Sequence, residues 1–562
     1  MSTVVMQAND QLREAILAAL GEAVAAGELP GEPIPAFTVE IPADRSHGDL
    51  AANVAMVSAR AFRQAPRKIA ETIAARLNLS GTFFERAEVA GPGFLNFFLA
   101  PSFYAAAVAD VLDKGADYGR SDYGQGKKVL VEFVSANPTG PMHIGNARGG
   151  AIGDCLAAVL ERAGYQVSRE FYINDAGNQI NKFGMSLELR YLQLYRDGVE
   201  MPEDSYHGQD IIDHAKAFAA LHGDRYVDAS EEERRRVLVE YALPLNVAGL
   251  ERDLATYRIH YDCWFRESTL HENGEAAKVV ELLTARGYTY ESEGAVWFKA
   301  TDFGADKDFV LRRSNGFFTY VVPDIAYHYN KLVTRGYDKA IDVLGADHHG
   351  YVPRLKAALQ ALGVDPARLD VVLMQMVRLI RDGEVVKASK RSGKAITLVT
   401  LLEEIPIDAA RFYFNLREAN SQFDFDLDLA IEQSASNPVY YVQYAHARIC
   451  SLFKKLEREG VSARSCTLEE LALLTAPEEK ELIRHLAGYT GEIVEAAKDY
   501  DPSRITRYCT ELAALFHKFY TSCRVMGEGE ALMQARLSLC AAARTTLRNA
   551  LDLLKIDAPE SM

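Results

Sequence analysis

Residues 128–150 restrict the fold more than any other stretch of this chain. KVLVEFV (128–134) reads as a buried strand. A loop carrying Asn137-Pro138 and Gly140-Pro141 ends it, and helical pattern resumes after His143. A helix that opens just beyond a parallel strand presents unpaired N–H groups and the positive end of its dipole, an arrangement suited to phosphate. Gly145 removes a side chain where a flat adenine approaches, and His143 supplies a donor for a phosphate whose charge grows as bonds change. A single histidine at a helix start is more often a cap than a ligand. Here the strand, the Pro-Gly loop and the His-x-Gly start occur together, and the combination is more specific than any one of them.

Short apolar runs between polar helices extend the pattern: FFTYVV (317–322), AIDVLGA (340–346) and VVLMQMV (371–377) read as further strands of a parallel sheet with crossover helices. Upstream, 11–26 carries a helical apolar stripe, 49–77 reads as a second helical segment, and VAGPGFLNFFLAP (89–101) reads as a strand. A glycine-rich linker at 118–126 follows. Residues 185–260 are helical and highly charged, and Glu231-Glu232-Glu233 with Arg234-Arg235-Arg236 reads as a solvated helix face. From Ile407 onward the pattern is helical, with no strand-like run of note. With 562 residues, several cores are expected. The reading is therefore a multidomain α/β protein: a small α+β domain over 1–118, a Rossmann-like parallel-sheet domain over 119–405 with a helical insertion at 185–260, and an all-α bundle over 406–562.

The net charge of -16 excludes a protein that coats nucleic acid indiscriminately, although a local basic face remains compatible with RNA. The seven cysteines include no C-x-x-C spacing, which argues against structural zinc and a disulfide framework and fits a reducing, cytoplasmic setting. No stretch has the apolar length of a membrane span.

A second chemical segment is GEVVKASKRSGKAITLVT (383–400). Gly393-Lys394 fails as a phosphate-binding P-loop, because Ala388 and Ala395 stand where that motif needs glycine and a hydroxyl. A basic surface loop is the usual fate of such a cluster, but this one follows the last apolar run of the sheet region and precedes the all-helical part.

Together these segments resemble the two signatures of class I aminoacyl-tRNA synthetases. His143-Ile144-Gly145-Asn146 is similar to the HIGH signature with asparagine in place of the last histidine, and Lys387-Ala388-Ser389-Lys390-Arg391 to the KMSKS loop, with both lysines kept. Over nearly the whole chain the resemblance is to arginyl-tRNA synthetases, through Ser135-Ala136-Asn137-Pro138, FYINDAGNQI (171–180) and NPVYYVQYAHAR (437–448). It implies ATP-dependent activation of L-arginine, transfer to tRNA(Arg), Mg2+ accompanying ATP, no resident metal and a monomer. It assigns His143, Gly145, Asn146, Lys387, Ser389 and Lys390 to ATP, with His143, Asn146 and the two lysines catalytic.

A guanidinium is planar, permanently cationic and rich in donors, so a selective pocket needs carboxylates beside an aromatic or acceptor group. The resemblance implies Glu267, Tyr320 and Asp324 for that pocket. It places Asn137, Asp347 and His348 near the α-amino group, with Glu132 and Ser135 bracing that end. It also implies tRNA contacts: Phe94 and Asn96 on the D-loop, and Tyr440, Tyr444 and Arg448 in an anticodon-binding bundle that also carries Lys454, Lys455, Arg458, Arg504, Arg507, Lys518, Arg524 and Tyr520. The readings set against this are an adenylate-forming ligase without tRNA, a different class I synthetase, and a non-catalytic relative. The long flanking regions, the missing zinc pattern and the retained His143 and lysines speak against them in turn.

Overall fold

The computed structural model describes residues 3–386 and 396–562. Its centre is a five-stranded, fully parallel sheet in the order Leu369–Met374, Lys339–Gly345, Lys128–Glu132, Gln166–Ile173, Cys263–Arg266. The chain enters at the middle strand, builds outward to one edge, then returns to fill the other side. That reversal opens a crevice beyond the carboxyl ends of Lys128–Glu132 and Lys339–Gly345, where open α/β sheets bind ligands. Val129, Leu130 and Val131 are buried, as the apolar run requires. The helix Ile144–Arg162 lies tight against the sheet: a Cβ on Gly153 would sit 2.2 Å from the Phe133 ring, so only glycine permits this approach.

FFTYVV is not a strand. Phe318 makes a lone bridge to Arg312, the Thr319 amide donates to the Leu311 carbonyl at 2.9 Å, and Val321–Tyr329 is a helix. Val321 and Val322 are buried at the start of that helix, while Phe317 and Tyr320 are exposed, a division that composition over six residues does not reveal. The strands of that neighbourhood are Thr289–Ser292, Ala295–Phe298 and Phe309–Arg312, a small antiparallel sheet. A strand also follows Ile407: Phe423–Asp426 runs parallel to Val377–Arg381, which pairs in turn with Glu384–Val386.

The segment 49–77 holds a strand, Leu50–Ala52, and two helices, Val54–Phe62 and Pro66–Ala74, the second opened by a proline that breaks the first. Residues 89–101 hold the turn and second arm of a hairpin, Phe84–Ala90 with Phe94–Leu99, in a four-stranded antiparallel sheet. The helical insertion is three helices, Gly177–Leu192, Gln209–His222 and Glu231–Thr256, around a core of their own that includes Phe183, Leu187, Phe218 and Leu238. Its arginine run is not wholly a solvated face. Arg234 is buried, donates to Glu188 Oε1 at 2.8 Å and satisfies the carbonyls of Val227 and Ala229, closing a turn that would otherwise bury unpaired oxygens.

Four long helices, Pro438–Arg458, Pro477–Asp499, Ser503–Ser522 and Glu530–Leu553, form the C-terminal bundle. Pro101–Lys114 packs against this bundle, and one continuous apolar core runs from Val4 through the sheet to Ile556. At the seam, Arg411 is fully buried. It donates to the Leu554 carbonyl at 2.7 Å, the Tyr257 carbonyl at 2.9 Å and the Asp154 carboxylate at 2.6 Å. All seven cysteines are free thiols. Among the described residues no helix is long and apolar enough to cross a membrane.

Candidate active site

The crevice is a cavity of about 570 Å³, and Glu132, Ser135, His143, Gly145, Asn146, Asp324, Asp347 and His348 line it. Its wall begins where Lys128–Glu132 ends. Val134 and Ser135 take φ of 68° and 40°, a left-handed pair without glycine. For a branched residue such as Val134 this costs on the order of 1–3 kcal/mol. The kink is held by side chains: Ser135 Oγ donates to Glu132 Oε1 at 2.8 Å and accepts from the Tyr172 amide at 3.1 Å.

The signature helix is capped reciprocally. His143 Nδ1 accepts from the Gly145 amide at 3.2 Å, and Asn146 Oδ1 accepts from the His143 amide at 3.1 Å. Asparagine at the fourth signature position thus closes the cap as well as facing the cavity. A Cβ on Gly145 would lie 3.2 Å from the His143 ring, so glycine there also fixes where the imidazole stands. His143 is bridged to Thr397, and the Leu398 amide donates to the Met142 carbonyl at 2.9 Å. Lys387, Ser389 and Lys390 lie outside the described residues.

Beneath the crevice is a buried ionic cluster. Lys331 Nζ lies 2.5 Å from Glu132 Oε2 and 2.9 Å from Asp342 Oδ1, and His328 Nε2 lies 2.6 Å from Asp342 Oδ2. Burial pushes the Glu132 carboxyl up despite Lys331. Burial also opposes charge on Asp342, but Lys331 and His328 outweigh it and hold that carboxyl low. Glu132, His328 and Asp342 could together hold a cation, but the Lys331 ammonium already stands between the two carboxylates. His328 Nδ1 faces the Asp324 carbonyl at 2.8 Å, tying the cluster to the cavity wall.

The two carboxylates expected to meet a guanidinium converge. Burial raises both the Asp324 and the Glu267 carboxyls, and a neighbouring carboxylate raises each further, Asp324 acting on Glu267 and Asp342 on Asp324. Tyr351 donates to Asp324 Oδ2 at 2.6 Å, and the Tyr172 hydroxyl stands beside Glu267 without a hydrogen bond of good geometry. Among the described residues Asp324 has no contact ion-pair partner, although the Tyr351 hydroxyl and the nearby His328 and Lys331 favour its ionised form, and it lines the cavity. Glu267 sits behind Tyr172, outside the lining itself. Tyr320 is exposed, its ring 6.1 Å from that of Tyr351. Asn137 is exposed and also outside the lining. Sequence reasoning did not find Tyr172, Tyr351, His328, Lys331 or Asp342. Only the strand Lys339–Gly345 gave a signal, in the acidic residue at the middle of its apolar run.

The tRNA-facing expectations divide. Phe94 is half-buried, whereas Asn96 is 5% exposed within the N-terminal sheet. In the bundle, Tyr440 and Tyr444 stack at 6.3 Å, and the Arg448 guanidinium lies 4.6 Å over the Tyr520 ring and within 3.2 Å of His517 Nδ1. Tyr440, Tyr444, Arg448 and His517 edge a surface cavity of about 400 Å³. Other cations of the bundle are paired: Arg504 with Glu492 and Asp499, Arg507 with Asp501, Lys518 with Glu481.

Comparison with known proteins agrees with this geometry. A family model described as tRNA synthetases class I (R), catalytic domain, matches residues 107–214 and 255–451. One for the arginyl tRNA synthetase N terminal domain matches 10–99, and one for the DALR anticodon binding domain matches 442–562. An arginine–tRNA ligase of Caldanaerobacter subterraneus subsp. tengcongensis is 57% identical over 562 residues, covering 100% of both chains. One of Ruminiclostridium cellulolyticum is 51% identical over 564 residues, again covering 100% of both. The solved Thermus thermophilus arginyl-tRNA synthetase superposes with a TM-score of 0.74 over 98% of this chain and 99% of its own, at 24% identity, and so shares the fold. The parallel sheet with its capped signature helix is that of a class I aminoacyl-tRNA synthetase, an enzyme. Within that class, the chain belongs to the arginyl-tRNA synthetase family.

Proposed function

We propose that this cavity is where L-arginine and ATP meet, and that the product is arginyl-tRNA. An oxygen of the arginine carboxylate attacks the α-phosphorus of ATP, and the bond to the β-phosphate breaks. Pyrophosphate leaves with its bonding electrons, and arginyl-adenylate remains. A ribose hydroxyl at the tRNA 3' end then attacks the activated carbonyl, and AMP departs. The observation that carries this reading is the pairing of a half-buried carboxylate without a contact ion pair, Asp324, with a capped helix start at His143 in one cavity. The first suits a desolvated cation and the second a phosphate.

In this assignment ATP lies against His143, Gly145 and Asn146, and Lys387, Ser389 and Lys390 close on its phosphates. The guanidinium lies against Asp324, Glu267 and Tyr320, with Asn137, Asp347 and His348 toward the α-amino end and Glu132 and Ser135 bracing it. Mg2+ accompanies ATP, since Lys331 already fills the acidic cluster below. The tRNA reaches Phe94 and Asn96 at one end and Tyr440, Tyr444 and Arg448 at the other. The corresponding domains are 1–118, 119–405 and 406–562. The enzyme works as a monomer in the cytoplasm, a setting that its free thiols suit.

Two expected results test the assignment. Arginine-dependent pyrophosphate exchange is negligible without tRNA and appears on adding cognate tRNA. In this assignment, tRNA docked on the helices after Ile407 brings Lys387 and Lys390 onto ATP. Full exchange in a folded, tRNA-free preparation sinks this coupling, and exchange with another amino acid sinks the arginine assignment. The second result concerns pH. The Asp324 and Glu267 carboxyls are raised in the free protein, and a bound guanidinium favours their charged forms. Arginine affinity is therefore complete above the raised values and falls as pH drops through them, before ordinary carboxylates near about pH 4 begin to protonate. Calorimetric titration reads this directly. An affinity that stays constant down to about pH 4.5 would mean that these carboxylates do not face the ligand.

A further inference from the structure

The loop that carries the signature is held at three places. Ser135 is tied to the sheet through Glu132 and the Tyr172 amide, and Met142 is tied to Leu398. The middle is held by the helical insertion. Asn246 Nδ2, on the helix Glu231–Thr256, donates to the Pro138 carbonyl at 2.9 Å. Asn246 Oδ1 in turn faces His214 Nε2 at 2.7 Å, on the helix Gln209–His222. The amide nitrogen must donate, because a carbonyl only accepts, so the amide oxygen faces the ring and His214 Nε2 carries the hydrogen. Asp210, one turn before His214, stands behind Gly140 of the same loop: a Cβ there would lie 3.9 Å from Asp210 Oδ2. Pro138 has no N–H, and Pro141 follows, so few backbone bonds could hold this part of the loop.

We propose that Asn246, oriented by His214, is a positioning residue for adenylate formation. Through the Pro138 carbonyl it fixes the loop whose far end places His143 at the cavity. The insertion is thereby part of the catalytic frame rather than an appendage. This inference rests on the assignment of His143 to ATP given above.

The test measures single-turnover arginine activation with tRNA bound, in the full-length enzyme. Asn246→Ala lowers the activation rate by on the order of a hundredfold, the scale of a misplacement of about 1 Å at a reacting group. Affinity for tRNA and the thermal midpoint stay close to those of the parent, since Asn246 is only half-buried. His214→Ala slows activation less, and His214→Gln, which keeps an N–H donor, restores most of the rate. In the Asn246→Ala background His214→Ala adds nothing, because His214 acts only through that amide. An unchanged rate in Asn246→Ala overturns the proposal, and so do independent, multiplying effects of the two changes. His143→Ala, run alongside, separates the causes. If it too is unimpaired, the underlying assignment fails; if it alone is slow, only the positioning role fails. Should Asn246→Ala fold poorly, the comparison of His214→Ala with His214→Gln reads the same bond from its other side.

Discussion

His143→Ala slows arginyl-adenylate formation by roughly a hundred- to a thousandfold, the usual cost of removing one well-placed donor to developing charge. The structure offers a competing explanation for any loss, since the same ring accepts from the Gly145 amide and caps the helix Ile144–Arg162. The two roles differ in size and in kind. Loss of a cap costs about 1 kcal/mol of stability and should show as a small drop in thermal midpoint. Loss of charge stabilisation shows in the chemical step. His143→Asn separates them, because asparagine caps well but presents no imidazole. It is expected to be as stable as the parent and still slow. Rapid activation by His143→Asn in a quenched single-turnover assay would reduce His143 to a cap.

Asp324→Asn weakens arginine binding by about 2–5 kcal/mol, the usual consequence of truncating one partner of a desolvated charge pair. ATP binding changes little. The substitution keeps volume and leaves an oxygen for the Tyr351 hydroxyl, which donates to Asp324 at 2.6 Å, so the wall stays in place while its charge is lost. The neighbouring Glu267 alone does not compensate, because the assignment needs both carboxylates to balance the guanidinium. Equilibrium titration with arginine and separately with ATP decides the matter. Equal arginine affinity in parent and variant would remove Asp324 from the pocket.

Residues whose roles are local were the most readable in the sequence. The strand 128–134, the Pro-Gly loop and the His143 helix start follow one another within a single motif, and the structure has them in that order. The ionic floor was not readable. Lys331, His328 and Asp342 acquire meaning only when the helix Val321–Tyr329 packs beneath the strand Lys339–Gly345 and that strand pairs with Lys128–Glu132. FFTYVV misled for a related reason: Phe317 and Tyr320 are exposed and only Val321 and Val322 enter the core, at the start of a helix, so the aromatic and branched composition marked neither burial nor element type. Arg234 shows the same limit from the polar side. Three arginines in a row look alike in sequence, yet Arg234 and Arg235 both reach Glu188, and Arg234 alone is buried and also satisfies the neighbouring carbonyls. Asn246 carried no sequence signal, since its partner Pro138 is more than a hundred residues away in the chain.

The buried guanidinium of Arg411 has a consequence for how such a protein can be built by shuffling parts. It joins the end of the last bundle helix, the end of the insertion and the middle of the signature helix in a single set of hydrogen bonds. A bundle transplanted from another synthetase would have to bring a carbonyl to the position of Leu554, or leave a cation stranded in an apolar seam. The bundle and the catalytic sheet are therefore inherited together as one packed unit.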